Sequence, residues 1–278
     1  MPYSDNSAIN IMLIGFAAHF VIFLTRYVLV CGGAVWWIKA NEERLAKRKI
    51  QANKASREQM KTEILWSLST FVVFACTGAI MFYLVSRGHT KMYLEIDAMG
   101  WGYFCFSVIA SIMIHDAYFY WAHRLMHHPI LFKKVHLVHH LSIDPTPWAS
   151  FAFHPYEAVL EALIIPLIIL TLPIHPLAIF IFLTYMVLMN TWGHLGYELL
   201  PREFPRAFPF SLSNTSTHHN MHHSKFNCNY GLYFSGWDKL CGTMSADYLS
   251  YFDQVKDKLE QAKYENAEPM QPLKQWSK

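Results

Sequence analysis

Long apolar runs alternate with polar segments along this chain, and the runs have lengths that suit a lipid bilayer. A helix needs about 20 apolar residues to cross the hydrocarbon core. Ala8–Ile38 is long enough, interrupted by His19 and Arg26. Ile64–Ser86 carries no charge, and Trp101–Trp121 turns polar only near its end, at His115 and Asp116. Ala158–Leu172 and Ile174–Gly193 follow, separated by Pro173 with Pro176 just beyond. Two prolines so close favour a tight break between helices. The pair therefore predicts a helical hairpin within 158–193, its first arm short for a full crossing. The expected fold is all-α and integral to the membrane, with about four transmembrane helices (8–38, 64–86, 101–121 and the hairpin). The more polar segments 122–157 and 194–264 form a helical cytosolic cap, and 265–278 reads as a polar tail.

Charge orients this scheme. Lys39–Thr62 holds eight Lys/Arg, whereas Arg87–Gly100 holds only Arg87 and Lys91. Short basic loops stay cytoplasmic, so Lys39–Thr62 is expected in the cytoplasm and Arg87–Gly100 on the far side. The third span then returns to the cytoplasm just before His123, and the hairpin leaves and re-enters on that face. Both cap segments thus meet at one membrane surface: the endoplasmic reticulum in a eukaryote, the inner membrane in a bacterium. Phe252, Val255 and Leu259, spaced by three and four, predict an amphipathic helix packed on the cap. The start, Met1–Asp5, lacks the basic region of a signal peptide, so the first apolar run is expected as a retained anchor.

Composition agrees with this pattern. The 278 residues are 53% hydrophobic but only 15% charged, against about 25% charged in soluble domains. A net charge of +3, with no basic groove pattern, argues against a nucleic-acid partner. No linker-like stretch and no repeat divide the chain, so one membrane domain, 1–278, is expected. Cys31, Cys76, Cys105, Cys228 and Cys241 form no CxxC pair and read as reduced, structural residues.

The candidate chemistry lies in histidine. Of sixteen histidines, seven fall within His115–His140 and four within His218–His223. They form three boxes: His123 and His127; His136, His139 and His140; His219, His222 and His223. Residues three and four apart are neighbours on a helix, so each box offers several imidazoles from one rigid element. Eight such ligands, with His194 as a ninth, are too many for one ion, since structural zinc takes four. They suit two ions of higher coordination number. Imidazole binds zinc, copper, iron and nickel alike. The absence of HExxH argues against a zincin protease. Two histidine-rich ions beside a lipid phase point to iron activating O2 against an unactivated C–H bond.

The stretches HDAYFYWAHRLMHH, HLVHH, AFHPYE and HHNMHH, with the trailing NYG and WDKLCGT, resemble the fatty acid hydroxylase/sterol desaturase superfamily. The resemblance covers roughly Trp101–Thr243, about half the chain, in the superfamily's order and spacing. PTPWASFAFHP and FNCNYG look most like sterol C5-desaturases. This implies an integral-membrane di-iron enzyme that hydroxylates or desaturates a sterol or fatty-acyl lipid. O2 is the co-substrate and electrons come from outside; zinc can occupy such sites in purified protein. His123, His127, His136, His139, His140, His219, His222 and His223 match the superfamily's boxes. His194, in NTWGHLG, matches a further ligand position. Asn190 stands where some relatives have another histidine; it either holds a metal-bound water or caps a helix. His115, His154 and His218 remain as additional candidate ligands or supporting groups.

Ligating histidines usually donate their other N–H to a carboxylate or carbonyl. Asp116, Glu157, Glu161 and Asp238 are the acids near the boxes, and Asp116 and Asp238 are the expected supports. No GxGxxG motif or haem-carrier segment is present, so a separate reductase, cytochrome or ferredoxin-type donor is expected. Two other readings stay open: a membrane metal-binding or transport protein, and a catalytically silent relative that binds lipid.

Overall fold

A computed structural model describes residues 5–51 and 53–266. Most of the expected polar tail, 265–278, lies outside the described residues, and so does the side chain of Leu259. Helices run in the order α1 (Asp5–Tyr27), α2 (Gly33–Ala40), α3 (Glu42–Leu45), α4 (Arg57–Ser86), α5 (Gly100–Met126), α6 (Pro129–Val135), α7 (Leu137–His140), α8 (Pro155–Ala162), α9 (Ile164–Thr171), α10 (Pro176–Gly193), α11 (Ser216–Lys225), α12 (Gly236–Leu240) and α13 (Tyr248–Asn266). A π-helical turn, Val28–Gly32, joins α1 to α2. No strand occurs among the described residues, only isolated bridges.

Four helical stretches are long and apolar enough to cross a membrane: Ser7–Ala40, Arg57–Ser86, Gly100–Met126 and Pro176–Gly193. At 1.5 Å per residue, the 18 residues of α10 reach about 27 Å, close to the hydrocarbon thickness. Leu13, Ile14, Leu29 and Trp36 of the first stretch are exposed. Such a face suits lipid, because apolar side chains toward hydrocarbon carry no hydration cost.

Sequence punctuates the helices locally. Ser56 caps α4 by accepting from the Gln59 N–H at 3.0 Å. Three His-Pro pairs open helices in one manner. His128, His154 and His175 each occupy the N-cap of α6, α8 and α10, with Pro129, Pro155 and Pro176 in the first turn. Proline suits that place because its missing N–H would be unpaired there anyway. The predicted break falls between α9, which ends at Thr171, and α10, which starts at Pro176. The stretch before it is bent at Leu163 into two eight-residue helices and is not a full span.

Aromatic packing holds the bundle. Phe23 and Tyr27 of α1, Phe71 and Phe74 of α4, and Phe151 and Phe153 of the 147–153 turn form the central core. Phe104, Ile164, Ile168 and Phe182 join α5, α9 and α10. α1 and α4 pack tightly at Gly78, where an added Cβ would lie 2.5 Å from the His19 ring. Tyr248 and Phe252 of α13 pack on Met221 of α11, as the amphipathic pattern predicts.

Candidate metal centre

The histidine boxes meet where α5 and α10 end. α5 runs past the expected third span to Met126, which carries His123 beyond Trp121 without a break. α11 brings the last box. Thr215 caps it by accepting from the His218 N–H at 3.1 Å. The Glu198 carboxylate accepts from the Thr217 N–H at 3.1 Å and its hydroxyl at 2.7 Å. An acidic group at a helix N-terminus opposes the helix dipole favourably, so Glu198 pins α11 at the end that carries His219.

The nine histidines separate into two groups. His123, His127, His136, His140 and His222 form the first; His139, His194, His219 and His223 form the second. Within each, the nitrogens that could take an ion lie within 4.8 Å of one another. Nε2–Nε2 separations in the first are 3.0 Å for His123–His136 and 3.1 Å for His127–His140 and for His140–His222. In the second they are 3.3 Å for His139–His194, 3.1 Å for His194–His219 and 3.2 Å for His219–His223.

Each HxxHH box therefore serves both groups, not one common centre. At about 100° per residue, positions i and i+4 lie about 40° apart, while i+3 falls about 60° to the other side. So His136 and His140 go to one group and His139 to the other; His219 and His223 pair, and His222 crosses over.

Backbone carbonyls set the tautomers. His123 Nδ1 lies 2.8 Å from the Tyr230 carbonyl, His222 Nδ1 2.7 Å from that of Cys228, and His194 Nδ1 2.8 Å from that of Asn190. A carbonyl only accepts, so these Nδ1 atoms donate. Each ring then presents a bare Nε2 lone pair to the interior of its group. Burial keeps the rings neutral, holding His140 down at about 3 and His194 at about 4. Burial, reinforced by neighbouring imidazoles, also pushes His136, His139, His219, His222 and His223 well down. Neutral imidazole with a free nitrogen is the form that ligates metal. The donor set fits two imidazole-loving cations.

Supporting groups differ from expectation. The carboxylate that touches a cluster histidine is Glu157, whose Oε1 lies 2.7 Å from His136 Nδ1. Burial pushes the Glu157 carboxyl up, against the hydrogen bond that favours its ionised form. Asp116 and Asp238 touch no cluster histidine. Asp116 accepts from the N–H groups of Tyr233 and Phe234, both at 3.1 Å. Asp238 accepts from Tyr230 N–H at 2.9 Å, Gly231 N–H at 2.8 Å and the Thr243 hydroxyl at 2.8 Å. Both acids grip the 228–234 segment, whose carbonyls receive His123 and His222. They lie one layer farther out than the sequence predicts.

The Asn190 side chain does not cap a helix. Its Nδ2 donates to the Ser150 carbonyl at 2.6 Å, tying α10 to the 147–151 turn, while its own carbonyl accepts from His194. His115, His154 and His218 stand outside both groups. His115 Nδ1 pairs with the Tyr233 hydroxyl at 2.7 Å. His154 caps α8. His218 Nε2 lies 3.5 Å from Asp238. Sequence reasoning had no signal for the carbonyls of Cys228 and Tyr230, since backbone atoms carry no residue identity. Glu157 did leave one: the His154-Pro155 cap starts α8 just before it.

An apolar cavity lies beside the second group. Phe153, whose ring centre is 5.2 Å from that of His139, and Asn190 line its near end. His19, Gly78 and Met81 line it deeper in the bundle. It holds about 800 Å3 of empty space, its open mouth included.

Comparison with known proteins agrees with this architecture. The fatty acid hydroxylase family profile matches residues 108–243. Lathosterol oxidase of Rattus norvegicus is 34% identical over 192 residues, 67% of this chain and 62% of that protein. Lathosterol oxidase of Homo sapiens is 31% identical over 192 residues, with the same coverage of each chain. Delta(7)-sterol 5(6)-desaturase ERG3B of Gibberella zeae is 30% identical over 253 residues, 88% of this chain and 72% of that protein. No solved structure matches. The chain belongs to the fatty acid hydroxylase/sterol desaturase superfamily and is close to the sterol C5-desaturases. It spans 62% of the length of the two lathosterol oxidases.

Proposed function

We propose that this protein is an O2-dependent oxidoreductase with two non-haem iron ions, acting on a sterol or related lipid within one membrane leaflet. The observation that carries this reading is the division of nine buried histidines into two groups next to an apolar cavity. The sterol relatives support the lipid class. His123, His127, His136, His140 and His222 would hold one ion; His139, His194, His219 and His223 would hold the other. Iron bound there would supply the oxidation of an unactivated C–H bond by O2. Either product needs two electrons and two protons per O2: hydroxylation releases one water, desaturation two.

The chain's own residues orient, enclose and exclude. The Tyr230, Cys228 and Asn190 carbonyls and the Glu157 carboxyl fix ring orientation, which keeps the Nε2 lone pairs converging. Phe153 and the apolar wall keep water from the reacting carbon. The electrons enter from a separate reductase, cytochrome or ferredoxin-type protein. The basic Lys39–Thr62 segment supports a cytoplasmic active site, by the bias of basic loops toward that side. A transporter would place ionisable ligands at mid-membrane depth, whereas these groups lie where the helices end.

Lipid mass spectrometry of cells with and without the gene tests the reading. A lipid that gains one oxygen, or loses two hydrogens, only when the gene is present identifies the reaction and its substrate. Unchanged lipids in cells that contain iron-loaded protein and a competent donor would sink it.

A further inference from the structure

The cavity wall is almost wholly apolar, contributed by residues such as Phe23, Phe74, Ile169, Leu183 and Met186. Five polar side chains interrupt it: His19, Thr77, His115, Glu161 and Asn190. Four of them find partners in the protein. His19 Nδ1 bonds the Gly15 carbonyl, and the Thr77 hydroxyl donates to the Val73 carbonyl. His115 is held by Tyr233, and Asn190 by Ser150. Glu161 is the exception: it is only 8% exposed, and its buried Oε1 has no hydrogen-bond partner.

Burying a carboxyl oxygen without a hydrogen-bond partner forfeits its hydration and gains nothing in return. The fold keeps one against a cavity, where a leucine would fit the wall's chemistry. Such a group is useful when the ligand brings the missing partner. A neutral carboxyl both donates and accepts, so it matches a hydroxyl, which does the same. Position agrees. Glu161 lies one turn beyond Glu157, about 6 Å along α8, and Glu157 touches His136 of the first histidine group.

We propose that Glu161 receives a hydroxyl of the lipid substrate and so sets how far the lipid enters the cavity. The inference rests on the lipid-oxidase reading and narrows it: the substrate is an alcohol. Glu161 is a substrate-binding residue, and apolar lining residues such as Phe74, Leu183 and Met186 contact the hydrocarbon of the lipid.

The test is equilibrium binding to the full-length protein in detergent micelles, measured by radioligand retention. Two pairs of probes are compared: lathosterol with its 3-methyl ether, and hexadecanol with hexadecyl methyl ether. The wild type should prefer the alcohol of at least one pair by about tenfold, the worth of one hydrogen bond. Glu161→Leu should lose that preference by weakening the alcohol alone, while Glu161→Gln should keep most of it. Thermal unfolding checks folding separately: Glu161→Leu should melt no lower than the wild type without lipid, because it removes an unpaired buried group. Equal binding of alcohol and ether in both pairs, or a preference that survives in Glu161→Leu, would overturn the proposal. A preference confined to the hexadecanol pair would keep Glu161 in its role and remove the sterol from the functional reading.

Discussion

Histidine-box residues divide the work by tautomer. His123, His194 and His222 have Nδ1 committed to backbone carbonyls, so only Nε2 is left for a cation. His139 and His222 belong to different groups although both are the central histidine of an HxxHH box. His139→Ala should therefore empty the second site and His222→Ala the first, each leaving one metal ion per chain by elemental analysis. Equal loss of both ions from either variant would show that the sites do not fill independently. Glu157→Ala should keep all nine ligands yet weaken the first site about 10- to 100-fold in a chelator titration. Acid sensitivity follows from burial. These histidines have folded-state values below the unfolded value of about 6.5, with His140 at about 3 and His194 at about 4. The unfolded chain then binds more protons between those limits, so stability is complete above about pH 6.5 and falls as pH drops toward 3. Thermal unfolding of the metal-free protein at pH 7.5 and pH 5 should show the lower melting point at pH 5.

Among the elements, the 228–234 segment matters out of proportion to its length. It has no regular secondary structure, yet two of its carbonyls orient histidines of the first group. Asp116 holds one end and Asp238 the other. Gly231 lets it lie flat, since an added Cβ would stand 2.5 Å from the Phe234 carbonyl and 2.9 Å from Asp238. Asp238→Ala strands two buried N–H groups and should cost on the order of 3 kcal/mol. The first metal site should weaken with it, while the second, with no contact to this segment through His194, should not. Calorimetry with per-site metal titration separates these effects; parallel loss at both sites would refute the assigned role. The long apolar helices were legible in the sequence because run length is a local signal, whereas the His-Pro caps were recognised only in the fold. The role of 228–234 was not legible either, because it depends on which backbone atoms face α5 and α11 after packing.

Across the whole molecule, α4 begins, and α5 and α10 end, at the side that holds both histidine groups. The basic run Lys39–Thr62 covers the junction of the first two apolar stretches, overlapping the end of Ser7–Ala40 and the start of Arg57–Ser86. Cysteines introduced at exposed Glu58 and Gln254 should react with an impermeant thiol reagent only from the cytoplasmic side. One at Lys91 should react only from the other. Labelling of all three from one side would refute the orientation. The amino-acid sequence by itself determined the helical class, the apolar stretches and the clustering of histidines into boxes. Those features are written in composition and in spacings of three and four. Tertiary structure alone decided that each HxxHH box is shared between two groups. It also decided that Glu157, and neither Asp116 nor Asp238, touches a cluster ring, and that Glu161 is left unpaired against the cavity. Helical spacing sets an angle about one axis, but which neighbour that angle meets depends on how separate helices pack.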